Sequence, residues 1–449
     1  MSTVSSRMSQ PEAALAFSEG LLETLRLHRR FVDGVPGGTR ASLKFKDLSG
    51  VSLPGRTLGG ADLSGAKLRG ADLSESDLVE ANLYGADLRG AKLDRARLMR
   101  ADLRGATLRG ASLMNADLTG ADLREGRMFR SAAGQIEASW KHDPAIVSDA
   151  MMIGARLSGA KLSRATLSNT DLRDADLKGC VLADADLSGS RLDGCDLQGA
   201  DLSGANLEAC SFEGAMLSGL DLSRSRLHGA RLLGAVLDGA DLGPNRDNVV
   251  LPRRFEGGKA ALDAMLASHG VWVASGGREG VRANLTDIDL SGMDLGGAML
   301  MAALMPRAIL RGANLSRARL VLVDLSGADL RGAALPGADL RGCDLRRAWL
   351  NAADMSGARV SGFTVSGYGE RWVSADLSLA RLVGANLANA DLDGARLTGA
   401  DLSRARLLGV RMRGADLTGA RLGGAETTDL DYAGACLERV SGLVRPAQV

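Results

Sequence analysis

The sequence predicts an all-β solenoid, a chain wound into short extended pieces joined by corners, and three observations carry that expectation. The first is composition: 449 residues are 45% apolar, yet include only seven Phe, three Tyr and four Trp. Large rings dominate most globular interiors, so this interior must be built from many small, evenly distributed side chains. The second is a period of five. Leu recurs at Leu43, Leu48, Leu53, Leu58 and Leu63 and onward to Leu123, with Met128 in the next slot. The third is geometric. Five residues of α-helix turn through about 500°, roughly 140° net, which scatters the leucines over every face. A straight strand alternates faces every residue, so an odd period sends consecutive leucines to opposite sides.

What fits is a short extended piece closed by a corner. Within each unit Ala stands two positions before the Leu and a polar residue one before. Ser or Arg often follows the Leu, and Gly often lies two after. Gly at the corner adopts positive φ without steric cost. Repeated corners place Ala and Leu inside and the polar residues flanking Leu outside. Successive coils then stack through backbone hydrogen bonds at the spacing of about 4.8 Å between strands.

The uninterrupted run ADLSG AKLRG ADLSE SDLVE ANLYG ADLRG from Ala61 resembles the pentapeptide-repeat family, and the pattern extends over most of the chain. The resemblance implies a right-handed quadrilateral β-helix with four pentapeptides to each coil. It specifies the fold closely and the function hardly at all.

Breaks in phase divide the chain. A helix and loop occupy 1–40, the first array 41–130, an excursion 131–149 and the second array 150–244. A linker and second helix fill 245–282, the third array 283–367, an excursion 368–374 and the fourth array 375–439, with a tail over 440–449. The helices are expected over Pro11–Val32 and Lys259–Ser275. Pro11 suits a first turn, Gly34 a stop, and Phe17, Leu21, Leu25, His28 and Val32 form one face. Leu262, Leu266, His269 and Val273 follow helical spacing in the second. Leu25-x-x-His28-x-x-Phe31-Val32, followed by Arg40-Ala41-x-Leu43, parallels Leu266-x-x-His269-x-x-Trp272-Val273, followed by Arg282-Ala283-x-Leu285. Two similar halves are therefore expected, each preceded by a short helix that caps the open end of its solenoid.

Charge narrows the function. Fifty-five Lys and Arg balance 54 Asp and Glu, which argues against direct nucleic-acid binding through a basic field and against wholesale acidic mimicry of nucleic acid. The N-terminal MSTVSSRMSQPEAALAF lacks a basic region followed by an apolar stretch, and no apolar run is long enough to span a bilayer. The reading is a cytoplasmic protein without membrane contact.

Residues that resemble chemistry acquire structural roles once the period is applied. Cys180, Cys195, Cys210 and Cys343 fall in the inward slot of Ala, and Cys436 falls in an outward slot. The spacing of the first three puts them on different faces, away from a shared disulfide or metal site. His28 and His269 hold matching cap positions. Gly257-Gly258-Lys259 lacks the flanking residues of a phosphate loop. Asp62, Asn82, Asp102 and Asp122 form one column and Asp201, Asp221 and Asp241 another, interleaved with Arg104 and Arg124. No cofactor, metal or catalytic set is expected.

The breaks carry the distinctive residues: Phe129 and Trp140 in the first, Tyr368 and Trp372 in the second. Trp and Tyr are enriched at interfaces. The expected function is a non-enzymatic scaffold that binds an unidentified protein partner through Trp140, Tyr368 and Trp372. Trp349 adds a further exposed candidate in an outward slot. The family resemblance brings an alternative, since some members imitate duplex DNA and bind DNA gyrase, protecting it from quinolones. A second alternative is an enzyme or nucleotide-binding protein whose site lies outside the repeats. The sequence sets no oligomeric state.

Overall fold

The computed structural model describes residues 10–129, 138–365 and 371–443. The chain forms two compact units, one of Met1–Arg231 and Leu237–Val249, the other of Leu232–Val236 and Val250–Val449.

Within each unit the polar residue before a central Leu pairs in parallel with its counterpart twenty residues on, as in Ser42↔Asp62, Asp62↔Asn82 and Asn82↔Asp102. Four such pairings fit into each twenty-residue advance, one for each pentapeptide. Each pentapeptide bonds its backbone to the coils before and after it. Leu63 N–H donates to Asn82 O at 2.7 Å, and Asn82 N–H to Ala61 O at 2.9 Å. Gly65 N–H reaches Tyr84 O at the corner, and Ala66 N–H returns to Leu63 O across the turn. Few backbone groups in a coil interior go unpaired, which a buried chain requires. The leucines and alanines form the axis of each unit. Leu63, Leu68, Leu83 and Leu310 are fully buried, and each such Leu contributes about 1.5–3 kcal/mol gross, offset largely by chain entropy.

Most turns end on a residue with positive φ. Gly does this at Gly70 (φ 60°), but Arg95, Asn115 and Leu379 do so too, at 57°, 56° and 61°. The left-handed conformation costs a side-chain-bearing residue about 1–2 kcal/mol. The periodic geometry of the coil is therefore strong enough to impose it where Gly is absent.

Two hairpins leave the coils. In the first unit β1 (Gly126–Phe129) pairs antiparallel with β2 (Ala138–Asp143). The stack continues beneath them without losing register, because Thr107 pairs with Ile146. Met128, counted as a centre from the sequence, lies in β1, whereas Val147 is fully buried and in phase. The phase count misses this because it reads Met as a Leu substitute wherever the spacing allows. In the second unit, the short strands β3 (Arg253–Arg254) and β4 (Ile288–Asp289) pair in parallel near its start. Further on, β5 (Phe363–Val365) and β6 (Arg371–Val373) form an antiparallel pair while Asp344 bridges to Asp376.

Two helices complete the architecture. The first, α1 (Gln10–Val32), has Arg29 and Arg30 in its last turn, where cations suit the helix dipole. Gly34 follows at φ 68°, and Val35 N–H caps Arg30 O. Leu21, Leu25 and His28 are buried against the first coil. Val32, expected on the same face, is the last residue of the helix and is 43% exposed. The side chain of Phe17 lies outside the described residues. The second, α2 (Gly258–Ala274), buries Leu262 and His269 and half-buries Leu266 and Val273.

Candidate interaction site

The β5–β6 hairpin presents the most exposed indole of the described residues. Trp372 pairs with Thr364 across the strands and is 59% exposed. Its Nε1–H donates to Ser374 Oγ at 3.2 Å, so the ring is held rather than loose. A Cβ at Gly362 would collide with the indole, and glycine at that position lets the ring lie close to the coil. On the other strand, Phe363 sits under the Arg341 guanidinium, 5.4 Å from its ring centroid. That guanidinium is bidentate to Asp339, with contacts of 2.7 Å from both Nε and Nη2. The hairpin is thus clamped to the wall by one aromatic and offers another.

The remaining sequence candidates fall differently. Trp140 lies in β2, but its side chain, like Tyr368 as a whole, is outside the described residues. Trp349 is a correction. It occupies an outward slot, bridging Asp329 and Arg381, yet is only 2% exposed. The Arg381 guanidinium covers its ring at 4.3 Å from the centroid. Asp329, the neighbour on the other side, is equally buried and ion-paired to Arg311 at 2.5 Å and Arg331 at 2.8 Å. Long Arg side chains fold over the wall from adjacent coils and close it, which the position of a residue within its own pentapeptide does not reveal.

The thiols occupy the slots their phase implies. Cys180, Cys195, Cys210 and Cys343 are buried and free, and Cys436 is exposed. The sulfurs of Cys180 and Cys195 each donate to a backbone carbonyl of the preceding coil, at 2.8 Å to Leu157 O and Leu172 O respectively. Burial pushes the thiols of Cys180 and Cys210 up to about 12, where a thiolate nucleophile is out of reach at neutral pH. Among the described residues no cluster of His, Cys, Asp or Glu could hold a metal ion.

The acidic columns are stitched surfaces. Asp62 Oδ1 accepts from Ser64 N–H, Ser64 Oγ and Asn82 Nδ2. Arg104 pairs with Asp102 at 2.6 Å and Arg124 with Asp122 at 2.7 Å. Burial alone would raise Asp122, but hydrogen bonds from the side chain and backbone of Arg124 outweigh it and hold the carboxyl below its usual value. In the second column, Asp201, Asp221 and Asp241 accept from Ser203 Oγ, Ser223 Oγ and the Gly243 N–H. Lys259 is exposed at the start of α2, and Gly257 caps that helix at φ 96° without a side-chain bond.

The two histidines are buried and repeat one geometry. His28 Nδ1 accepts from Ala41 N–H at 3.0 Å, and His269 Nδ1 from Ala283 N–H at 3.1 Å. The matching helix motifs in the sequence align these residues; the bond to the first coil emerges only in three dimensions.

A family profile described as pentapeptide repeats matches residues 58–95, 96–131, 147–179, 170–208, 205–243, 283–321, 324–362, 380–419 and 395–426, well over half of the chain. The chain belongs to the pentapeptide-repeat family. Similar solved structures include QnrB1, a plasmid-mediated fluoroquinolone resistance protein, at 21% identity over 46% of this chain and 94% of that one, with a TM-score of 0.28. Rfr23 from the cyanobacterium Cyanothece 51142 is 27% identical over 31% of this chain and 90% of its own, with a TM-score of 0.20. HetL from Nostoc sp. strain PCC 7120, a protein involved in heterocyst differentiation regulation, is 21% identical over 93% of this chain and 97% of its own, with a TM-score of 0.14. No curated protein matches the chain at a significant level.

Proposed function

We propose that the protein is a non-enzymatic scaffold that binds a protein partner through its hairpins, with Trp372 as the principal anchor and Trp140 and Tyr368 contributing. Each unit winds as a right-handed quadrilateral β-helix preceded by its capping helix. The observation that carries the reading is the contrast between Trp372, exposed on a clamped hairpin, and the buried Trp349 of the wall, in a surface where many outward Asp and Arg are ion-paired. Loops on rigid scaffolds commonly carry recognition, and a rigid aromatic loses little entropy on binding. Trp349 leaves the binding set because it is buried. No helix among the described residues is long and apolar enough to cross a membrane, and we place the protein in the cytoplasm. The arrays are bounded as the phase of the repeat sets them out, except at Met128 and Val147.

The test is capture from native lysate with wild-type protein and Trp372→Ala as parallel baits. Loss of a captured protein with the variant, at unchanged melting temperature, supports the reading. Identical captures move the site to the walls. Gyrase mimicry is disfavoured by the pairing of Arg with Asp along the columns. A supercoiling assay with excess protein should show neither inhibition nor relief of quinolone poisoning.

A further inference from the structure

Both helices meet their coils through one buried histidine, and the geometry of that contact depends on protonation. His28 is fully buried, stacked on Phe31 with ring centroids 6.0 Å apart, and its Nδ1 accepts the N–H of Ala41, the inward residue of the first pentapeptide. His269 repeats this with Trp272 at 5.6 Å and the N–H of Ala283. An Nδ1 that accepts leaves the neutral ring's proton on Nε2. Neither Nε2 reaches a partner in hydrogen-bond geometry.

We propose that the two histidines form a pair of acid-released latches, each holding its capping helix to the first coil only while its imidazole is neutral. Uptake of one proton at Nδ1 replaces an acceptor with a donor facing another donor, the backbone N–H of Ala41 or Ala283. The contact then becomes repulsive, and the amide is left unpaired in a buried position. Every charged group facing the rings acts in the same direction. The first coil brings Arg40 to His28 and Arg282 to His269. Both arginines are anchored one coil further on, Arg40 to Gly60 O and Arg282 to Ala302 O at 2.7 Å. On α1 itself Arg29 is engaged by Asp33 and Thr57, and Arg30 by the Pro36 carbonyl. On α2, Asp263 is exposed. The carbonyls of Gly59 and Leu58, and of Met301 and Leu300, lie near the rings and favour the proton, but burial outweighs them and holds both imidazoles below their ordinary value of 6.5. Release of either helix uncovers the apolar end and open strand edge of its array, converting a capped solenoid into one competent for edge-on association.

Hydrogen–deuterium exchange on the full-length protein at about pH 7.5 and about pH 5, corrected for intrinsic exchange, tests this. In wild type, amides of residues 20–32 and 262–274 should lose protection, by about tenfold per pH unit once below the ordinary imidazole range. Those of the coil interiors should remain protected. His269→Asn, whose Oδ1 takes the place of Nδ1 without titrating, should abolish the loss in α2 and leave that in α1 intact; His28→Asn should do the reverse. His269→Leu provides a second variant: α2 should be less protected at neutral pH and insensitive to acid. Unchanged wild-type protection at low pH overturns the proposal, as does equal loss throughout the arrays or acid sensitivity that survives His269→Asn. If an asparagine variant does not fold, the wild-type comparison of helices against coils decides alone.

Discussion

Trp349 and Trp372 stand in the same unit, both outside the inward slots of the repeat, and the structure treats them in opposite ways. Trp349 projects from a wall pentapeptide yet is covered by Arg381 from the next coil and flanked by the salt-linked Asp329. Trp372 projects from β6, rests one side of its ring close to Gly362 and stays 59% exposed, with its Nε1–H bonded to Ser374. On a wall every outward side chain has neighbours one coil above and below, about 4.8 Å away, so long side chains fold over and close the surface. A hairpin leaves the wall while the stack continues beneath it, as where Asp344 bridges to Asp376. For these two tryptophans, exposure follows the neighbours that adjacent coils supply rather than the slot alone.

The thiols offer the largest contrast. At mildly alkaline pH, Cys436 should react with a disulfide reagent at the rate of an open thiol. The four inward cysteines should lag by more than about a thousandfold, since they react only through opening of the fold. Rapid labelling of Cys195 would overturn the inward assignment. The tryptophans come next. Trp349→Ala should cost about 3–5 kcal/mol, as truncation of a buried aromatic does, measured by denaturant unfolding; a loss under about 1 kcal/mol would mean the wall is looser than its ion pairs imply. Trp372→Ala should stay within about 0.5 kcal/mol of wild type while impairing partner capture.

Acid should separate the caps from the walls. Asp122, Asp171 and Asp339 are held below the usual 3.8. For Asp171 the main cause is the Arg173 side chain; for Asp339, Arg341 overcomes the opposing effect of burial. A depressed carboxyl stabilises the fold above its unfolded value and loses that contribution as pH falls through its folded one. The array should therefore keep its melting temperature down to about pH 4 and lose it below. The depressed histidines act earlier: their contribution is lost as pH falls from above 6.5 toward their folded values. A single merged transition in exchange and melting would erase the distinction. The smallest effects belong to the corners. Leu379→Gly should raise stability by about 0.5–1 kcal/mol, by relieving a left-handed backbone at the expense of chain entropy. Gly70→Ala, at φ 60° with open space around its Cα, should lower it by about 1 kcal/mol.

The repeat, the inward slots and the two helices were legible in the sequence because each depends on local spacing. A five-residue period fixes which side chains share the interior, and Ala, Leu and Cys at those slots report it directly. The same reasoning failed at Met128 and Val147, where a hairpin inserted at a corner shifts the phase while the stack beneath continues. It failed again at Trp349, because burial of an outward residue depends on side chains one coil away in space and twenty or more residues away in sequence. The parallel motifs around His28 and His269 aligned two histidines whose contacts repeat. Only the tertiary structure joined each imidazole to the first amide of its coil, since a hydrogen bond between helix and coil needs the turn between them to bring the two together.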